Sequence, residues 1–461
     1  MSGASSINAD VADDHWVMNF ASIPAHWSCL EFDAVFENVP LTGLKVPQKE
    51  YEQFGRYPVI DQGSGLVGGY TNDADRILSL PRPAIVFGDH TKCFKYLSTP
   101  FAPGADGIKV LLPKEGILEK YVYHLCKSLR LPDRGYSRHF SFLKKCKFPM
   151  PPIEEQKDIV AMIESLLSEL DSGIESLKTA REQLKVYRQA VLKHAFEGKL
   201  TAQWREENKD KLESPERLLT RIPVPSQPRG GREASREVIE GIGALAVNKP
   251  KKNVPEGWVW TPLLRVARQE TGHTPSRRKP EYWGGHQYWI GIVDARLHHG
   301  QKINDTLQKV TSEGLENSSA RILPSETVCL SRTASVGYVC IMGKPMATSQ
   351  DFATWSCTEA LDSKFLMYAI IAEGSEIRRF GKGTTHTTIY FPEIRALHIA
   401  LPSVTEQRTI VDLLEKKLQY VDLVLNDINE QILRTETLRQ SILKKAFTGQ
   451  LATITEDQES T

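Results

Sequence analysis

The run Pro151-Pro-Ile-Glu-Glu-Gln-Lys-Asp-Ile-Val160 opens a stretch that closes on Ala195-Phe-Glu-Gly-Lys-Leu200. The chain writes the same stretch again from Pro402-Ser-Val-Thr-Glu-Gln-Arg-Thr-Ile-Val411 to Ala446-Phe-Thr-Gly-Gln-Leu451, at a constant offset of 251 residues and without a gap. Glu155-Gln156 matches Glu406-Gln407, Asp171 matches Asp422, and Arg188-Gln189 matches Arg439-Gln440. A duplication held at one offset is a signal about the whole fold, and it takes precedence over any local reading. A weaker echo lies upstream of each copy, where Ile23-Pro24-Ala25-His26-Trp27 resembles Val254-Pro255-Glu256-Gly257-Trp258. The chain reads as two halves of one plan.

Within the repeat, apolar residues fall at Val160, Ile163, Leu167, Leu170, Ile174, Leu177, Leu184, Val191 and Ala195. In the second copy they fall at Val411, Leu414, Leu418, Val421, Leu425, Ile428, Ile432, Ile442 and Ala446. Steps of three and four wherever the series is unbroken, sustained over about five heptads, make a narrow seam that asks for a partner helix. Each helix would span ~60 Å at 1.5 Å per residue. Ser403-x-x-Glu406 reads as a capping box, Pro152 suits a first helical turn, and Gly198 and Gly449 stand where helices stop. Two unrelated amphipathic helices would leave the matched registers unexplained, so the two copies are expected to pair. Arg188 and Arg439 occupy equivalent seam positions, where a charge sets register or reaches a partner.

The segments ahead of the helices carry short apolar runs bounded by Gly, Pro, Asp and Ser: Ala84–Phe87, Thr327–Leu330 and Tyr338–Ile341. These are strand signals, and a helix is expected late in each segment, over Leu118–Leu129 and Ser363–Phe380. The fold class is therefore α+β. Between the halves, Glu213–Asn253 is rich in Pro, Arg and Gly and reads as a linker.

At 461 residues, with 40% hydrophobic and 25% charged positions, the chain is ordinary globular material for roughly three domain-sized units. No apolar run reaches the ~18 residues of a membrane span, and Met1–Asp14 lacks the basic and greasy regions of a leader, so a protein that is soluble and not exported is expected. Seven cysteines (Cys29, Cys93, Cys126, Cys146, Cys329, Cys340 and Cys357) form no Cys-x-x-Cys pair, which suits a reducing cytoplasm and argues against zinc. The net charge of +1 gives no general attraction to nucleic acid, so any such contact must be local.

Catalytic patterns fail in turn. Gly63-Ser-Gly-Leu-Val-Gly68 matches a dinucleotide fingerprint, but a turn follows it where a helix is required. Gly337–Lys344 has one residue too many for a phosphate loop, and Pro345 stands where a hydroxyl must reach magnesium. Asp133, Glu155 and Lys157 could be arranged as a nuclease set, yet Glu406-Gln-Arg408 repeats the motif without an upstream Pro-Asp, and a first-turn Glu has an ordinary helix-dipole role. His298, His299 and His386 lack partners at metal spacing. No Asn-Pro-Pro-aromatic motif of an amino-methyltransferase is present. Neither a catalytic residue nor a metal ligand is expected.

Local charge does point somewhere. From Lys127 to Lys147 seven basic residues face the single acid Asp133, interleaved with Tyr136, His139, Phe140 and Phe142. Ser276-Arg-Arg-Lys279 precedes Tyr282-Trp283, and Lys382-Gly-Thr-Thr-His-Thr-Thr388 offers short donors on a Gly-containing loop. Such sets suit phosphate contact and base-edge hydrogen bonding. A solvated face would explain any one patch alone, but their recurrence ahead of each long helix favours DNA. The candidate contact residues are Lys92, Arg134, Tyr136, Ser137, Arg138 and His139 in the first half. In the second they are Ser276, Arg277, Arg278, Tyr282, Trp283, Arg332, Lys382, Thr384, Thr385 and His386. The candidate seam residues are Ile163, Leu167, Leu170, Ile174, Leu177, Leu414, Leu418, Val421, Leu425 and Ile428.

From about Ile23 to Leu451 the chain resembles the specificity subunit of type I restriction-modification systems. The resemblance is carried by the Glu-Gln-x-x-Ile-Val starts and Ala-Phe-x-Gly-x-Leu ends of the repeat, with Tyr57-Pro-Val59, Gly135-Tyr-Ser-Arg-His-Phe140, Thr201-Ala-Gln-Trp204, Thr274-Pro-Ser276, Glu281-Tyr-Trp-Gly-Gly285 and Leu330-Ser-Arg-Thr-Ala-Ser-Val-Gly337. It implies two α/β target recognition domains, at 23–150 and 254–402, separated and followed by long helices at 151–200 and 403–451. The helices would pair as an antiparallel coiled coil with pseudo-two-fold symmetry. Residues 1–22 would be an extension, 201–253 a linker and 452–461 an acidic tail. The family's chain is a non-catalytic reader of double-stranded DNA, one recognition domain per half of a split asymmetric target. Two modification subunits join it and carry S-adenosylmethionine for adenine-N6 methylation, and restriction subunits use ATP and magnesium. These cofactors belong to the partners, in a bacterial or archaeal cytoplasm. A protein adaptor without DNA selectivity, and an autonomous nuclease or methyltransferase, are the competing classes.

Overall fold

The computed structural model describes residues 23–104, 107–132, 135, 137–228, 233–333, 335–382 and 387–451. The chain divides into two compact units, 1–178 with 428–461, and 179–427.

In the first unit an antiparallel sheet runs in the order Phe36–Val39, Ile108–Pro113, Ala84–Gly88, Phe94–Leu97. A second sheet places Tyr57–Ile60 between antiparallel Gly69–Thr71 and parallel Ala102–Pro103. Ser28–Glu31 pairs antiparallel with Lys147–Met150. The second unit repeats this sheet for sheet. Ala267–Thr271, Phe352–Cys357, Val328–Ser331 and Val339–Met342 follow the same order, with Lys302–Ile303 added at the edge. Trp283–Ile290 lies between antiparallel Gln308–Val310 and parallel Ala347–Thr348, and Val259–Pro262 pairs with Leu397–Leu401. The three strand signals and the helix at Glu119–Ser128 fall where the sequence places them. The expected helix over 363–380 is an α-helix only over Ser363–Ala372; at Gly374, with φ of +54°, the chain turns into a 3-10 segment, Gly374–Phe380.

The repeated stretches form helices at Ile153–Phe196 and Val404–Ala446. Both end in Schellman motifs: Lys199 donates to the carbonyl of His194 at 3.0 Å and Gln450 to that of Lys445 at 2.9 Å, with φ of +69° at Gly198 and +73° at Gly449. These glycines answer a second demand as well. A Cβ on Gly198 would sit 2.4 Å from Pro255 Cγ, and one on Gly449 would sit 2.4 Å from Pro24 Cγ. The Ile-Pro and Val-Pro echoes are thus the pieces that dock on the helix ends.

Seam residues enter the cores unequally. In the first unit Ile159, Val160, Ile163 and Leu167 share one core with Ile442, Leu443, Ala446 and Phe447. In the second, Val191, Leu192, Ala195 and Phe196 share one with Ile410, Val411, Leu414 and Leu418. Val421 and Ile428 are buried, while Leu170, Ile174, Leu177 and Leu425 are only half-buried; of these four, Leu170 packs against the core of the first unit.

The expected linker is corrected. Residues 213–253 form a helix at Pro215–Arg221 and strands Ile239–Glu240 and Leu245–Val247, the latter pairing with Leu397–Leu401. Ala244 to Val247 are buried, and Leu218 and Ile222 join the same core. The short apolar run was hidden in a Pro- and Arg-rich composition. The fully buried Glu373 carboxylate accepts from Ile242 N at 2.8 Å and Gly243 N at 3.1 Å, tying this segment down. Burial raises its pKa above the ordinary 4.5 despite those bonds. The folded chain therefore keeps a proton that the unfolded chain releases. This contribution is complete below about pH 4.5 and is lost as pH rises through the folded value. Glu373→Gln is expected to flatten that part of the dependence in urea melts carried upward from about pH 4.5.

The capping box is corrected too. Glu406 N–H donates to Ser403 Oγ at 3.2 Å, but the Glu406 carboxylate turns to Thr201 and Arg205 instead of back to Ser403. Among the described residues no helix is long and apolar enough to cross a membrane.

Candidate nucleic-acid interface

In the first unit the candidate residues converge at one end of the central strand Ala84–Gly88. Asp89, the next residue, is buried, and its carboxylate accepts from His139 N at 2.8 Å and Phe140 N at 2.7 Å. Its carbonyl accepts from His139 N at 2.9 Å and lies 3.0 Å from His139 Nδ1. His90 Nδ1 lies 3.2 Å from the Ser137 carbonyl. Together these bonds pin the loop of Ser137 and exposed Arg138 to the turn carrying half-buried Lys92, whose φ is +60°. His139 is 0% exposed, so the expectation that it touches DNA is revised: its ring holds the loop from inside. Arg134 and Tyr136 lie outside the described residues.

The same point in the second unit is occupied by Arg332. Its N–H donates to Asp351 O at 2.8 Å and its carbonyl accepts from Ile389 N at 2.9 Å. Lys382 is exposed and lies 3.7 Å from Glu237 and 3.5 Å from Glu393. Ser276, Arg277 and Arg278 are exposed on the turn before half-buried Trp283, and the Arg277 guanidinium stacks 3.7 Å from that ring's centroid. Tyr282 is buried, which revises its expected role; its hydroxyl receives Lys279 Nζ at 2.9 Å. Thr384, Thr385 and His386 lie outside the described residues.

Each unit also carries a cleft; none of the candidate residues lines the first, and Arg332 alone of them lines the second. In the first, about 570 Å³ opens beside Asn38–Gly43, with Lys45, Arg76 and Lys109 on its walls. In the second, about 690 Å³ opens beside Gln269–His273, with Arg321, Arg332 and Arg395. Extending the Trp27 and Trp258 echo downstream at its own offset brings Asn38–Gly43 onto Gln269–Thr274, a signal that could have located both clefts.

Matching joints hold each sheet system to its helices. Gln156, buried, donates to Pro151 O at 2.9 Å and accepts from Leu118 N at 2.9 Å, at the start of Glu119–Ser128. Gln407, also buried, donates to Pro402 O at 3.1 Å and Ala360 O at 2.9 Å and accepts from Asp362 N at 2.8 Å, at the start of Ser363–Ala372. Glu155, offered in sequence as a catalytic carboxylate, instead accepts from Trp27 Nε1 at 2.9 Å and lies 2.9 Å from His26 Nε2. Arg188 donates to Asp422, and Arg439 donates to Asp171.

The sequence profile described as type I restriction modification DNA specificity domain matches residues 25–185 and 255–434, once in each half. The chain belongs to the type I restriction-modification DNA specificity family. Its relatives include the EcoR124I/EcoR124II specificity subunit of Escherichia coli, 23% identical over 87% of both chains. The MjaIX specificity subunit of Methanocaldococcus jannaschii is 25% identical, over 42% of this chain and 44% of its own length. The fold is that of the HsdS subunit from Thermoanaerobacter tengcongensis, with a TM-score of 0.52 at 17% identity over 93% of this chain and 98% of that one. A chain solved in a study of complex assembly and conformational transition of the type I R-M system gives a TM-score of 0.61 at 17% identity, over 93% and 99%. A specificity subunit recognises DNA sequence.

Proposed function

We propose that this specificity subunit reads a split, asymmetric target, one recognition unit per half, and scaffolds two modification subunits and the restriction subunits. The observation that carries the reading is the sheet-for-sheet duplication with unlike loops: one plan used twice suits two half-sites, and different loop side chains suit different sequences. The two long helices pair as an antiparallel coiled coil in this reading. In its support, each core joins the first part of one helix to the last part of the other, and the two cross-helix Arg–Asp bonds stand at equivalent repeat positions. S-adenosylmethionine, ATP and magnesium act on the partner subunits, and the chain itself is non-catalytic. The site of action is the cytoplasm.

Co-expression with its modification subunit, followed by single-molecule sequencing of host DNA for methyladenine, tests this directly. A split asymmetric motif is expected; a stable complex that leaves no motif would mean an adaptor.

Two smaller predictions follow from the same reading. Arg138→Ala is expected to weaken DNA binding severalfold at every sequence alike and to reduce the salt slope by about one, as loss of a phosphate contact does. Fluorescence anisotropy over a salt series would measure it, and an unchanged slope would remove Arg138 from the interface. Arg188→Asp is expected to cost ~0.5 kcal/mol, and a further Asp422→Arg change to restore most of it, as for other exposed pairs. Thermal melts of the four variants of that cycle decide it.

A further inference from the structure

We propose that Arg332 reads the O6 and N7 edge of a guanine in one half of the target, an inference that rests on the DNA-reading function above. The position that follows the central strand is used oppositely in the two units. In the first, Asp89 turns inward and is spent on the His139 and Phe140 amides. In the second, Arg332 lines a cleft of about 690 Å³. Its backbone is held on both sides, by Asp351 O and Ile389 N. Its guanidinium donates from Nη2 to Gln350 O at 3.0 Å and lies 4.4 Å from the centroid of the Phe391 ring. Its Nε is buried with no hydrogen-bond partner.

A guanidinium fixed on a ring, half withdrawn from water, is poorly placed to follow a mobile phosphate. The exposed Arg278 is better suited to that. A planar fork of fixed orientation matches the two adjacent acceptors that only guanine presents in the major groove. The cleft's other charges do not compete. Glu270, buried beside Arg332's cleft, is neutralised by Arg268 at 3.1 Å and Arg321 at 3.7 Å, so it does not repel the DNA.

The test uses the full chain assembled with its modification subunits, and its own target as established by methyladenine sequencing. Each guanine of the target is replaced in turn by 7-deazaguanine, which lacks the N7 acceptor. Affinity of the wild-type complex is expected to fall about tenfold at one guanine, within a single half. Arg332→Lys, which keeps the charge but loses the fork, is expected to bind the natural target about tenfold more weakly and to be indifferent to that replacement. If Arg332→Lys does not assemble, Phe391→Leu serves instead, and it is expected to blunt the discrimination at the same base pair. A complex that selects a split target yet shows no guanine at which wild type and variant differ overturns the assignment and leaves the specificity reading intact. A complex with no sequence selectivity overturns both.

Discussion

Leu414→Ala is expected to destabilise the second unit by about 3 kcal/mol, and Leu425→Ala by about 1 kcal/mol or less, although both residues belong to the same heptad seam. Leu414 is 0% exposed and packs in the large core with Val191, Leu192 and the buried faces of the sheets, so truncation leaves a cavity that close-packed neighbours cannot fill. Leu425 is already half in water and gives up little. Ile163, the first-copy equivalent of Leu414, is likewise 0% exposed, and Ile163→Ala is expected to cost as much in the first unit. Urea denaturation followed by tryptophan fluorescence would separate these cases. Equal losses at Leu414 and Leu425 would mean that the seam is sealed along its whole length by something other than the domain cores.

That gradient marks the limit of what was legible in the amino-acid order. Period and offset are local properties, so the two helices, their glycine stops and the repeat could be read directly. Which part of a seam is sealed depends on what else packs there, and heptad spacing is silent on that. The same reasoning covers the contact residues. A cluster of Arg, His and Tyr announces polarity without direction, and only the fold turns His139 and Tyr282 inward while leaving Arg138 and Arg277 outside. The segment at 213–253 hides its fold for the opposite reason. Its Pro and Arg content describes its surface, while Leu245-Ala-Val247, too short to stand out, decides that it joins a sheet. Glu155 and Glu406 were recognisable as a matched pair, but their partners differ: Glu155 meets His26 and Trp27, upstream of the first helix, whereas Glu406 meets Thr201 and Arg205, just past its end.

That difference gives the larger of the two expected effects. Arg205→Ala is expected to cost about 3–5 kcal/mol, because it strands the Glu406 carboxylate, whose side chain is 1% exposed. Arg205 approaches it at 2.9 Å from Nε and 2.8 Å from Nη2, with Nη2 also donating to Gly198 O at 2.7 Å; Thr201 Oγ1 adds one neutral bond at 2.7 Å. A single hydroxyl cannot replace the solvation that a buried anion has given up. Adding Glu406→Gln to Arg205→Ala is expected to recover at least half the loss, since the neutral amide keeps an acceptor for Thr201 and no charge is left behind. The first copy supplies the control. Glu155 is 34% exposed and its partner His26 is 59% exposed, so His26→Ala is expected to cost under about 1 kcal/mol. If Arg205→Ala were as mild as His26→Ala, or if Glu406→Gln failed to rescue it, the carboxylate would have to be satisfied by the surrounding helix ends. The pairing of Arg205 with Glu406 would then be a consequence of that packing and contribute little to it. Melting temperatures of the four variants, taken with their modification subunit absent, distinguish the two, because a stranded charge makes the double variant lose much less than the two single losses together, and packing alone does not.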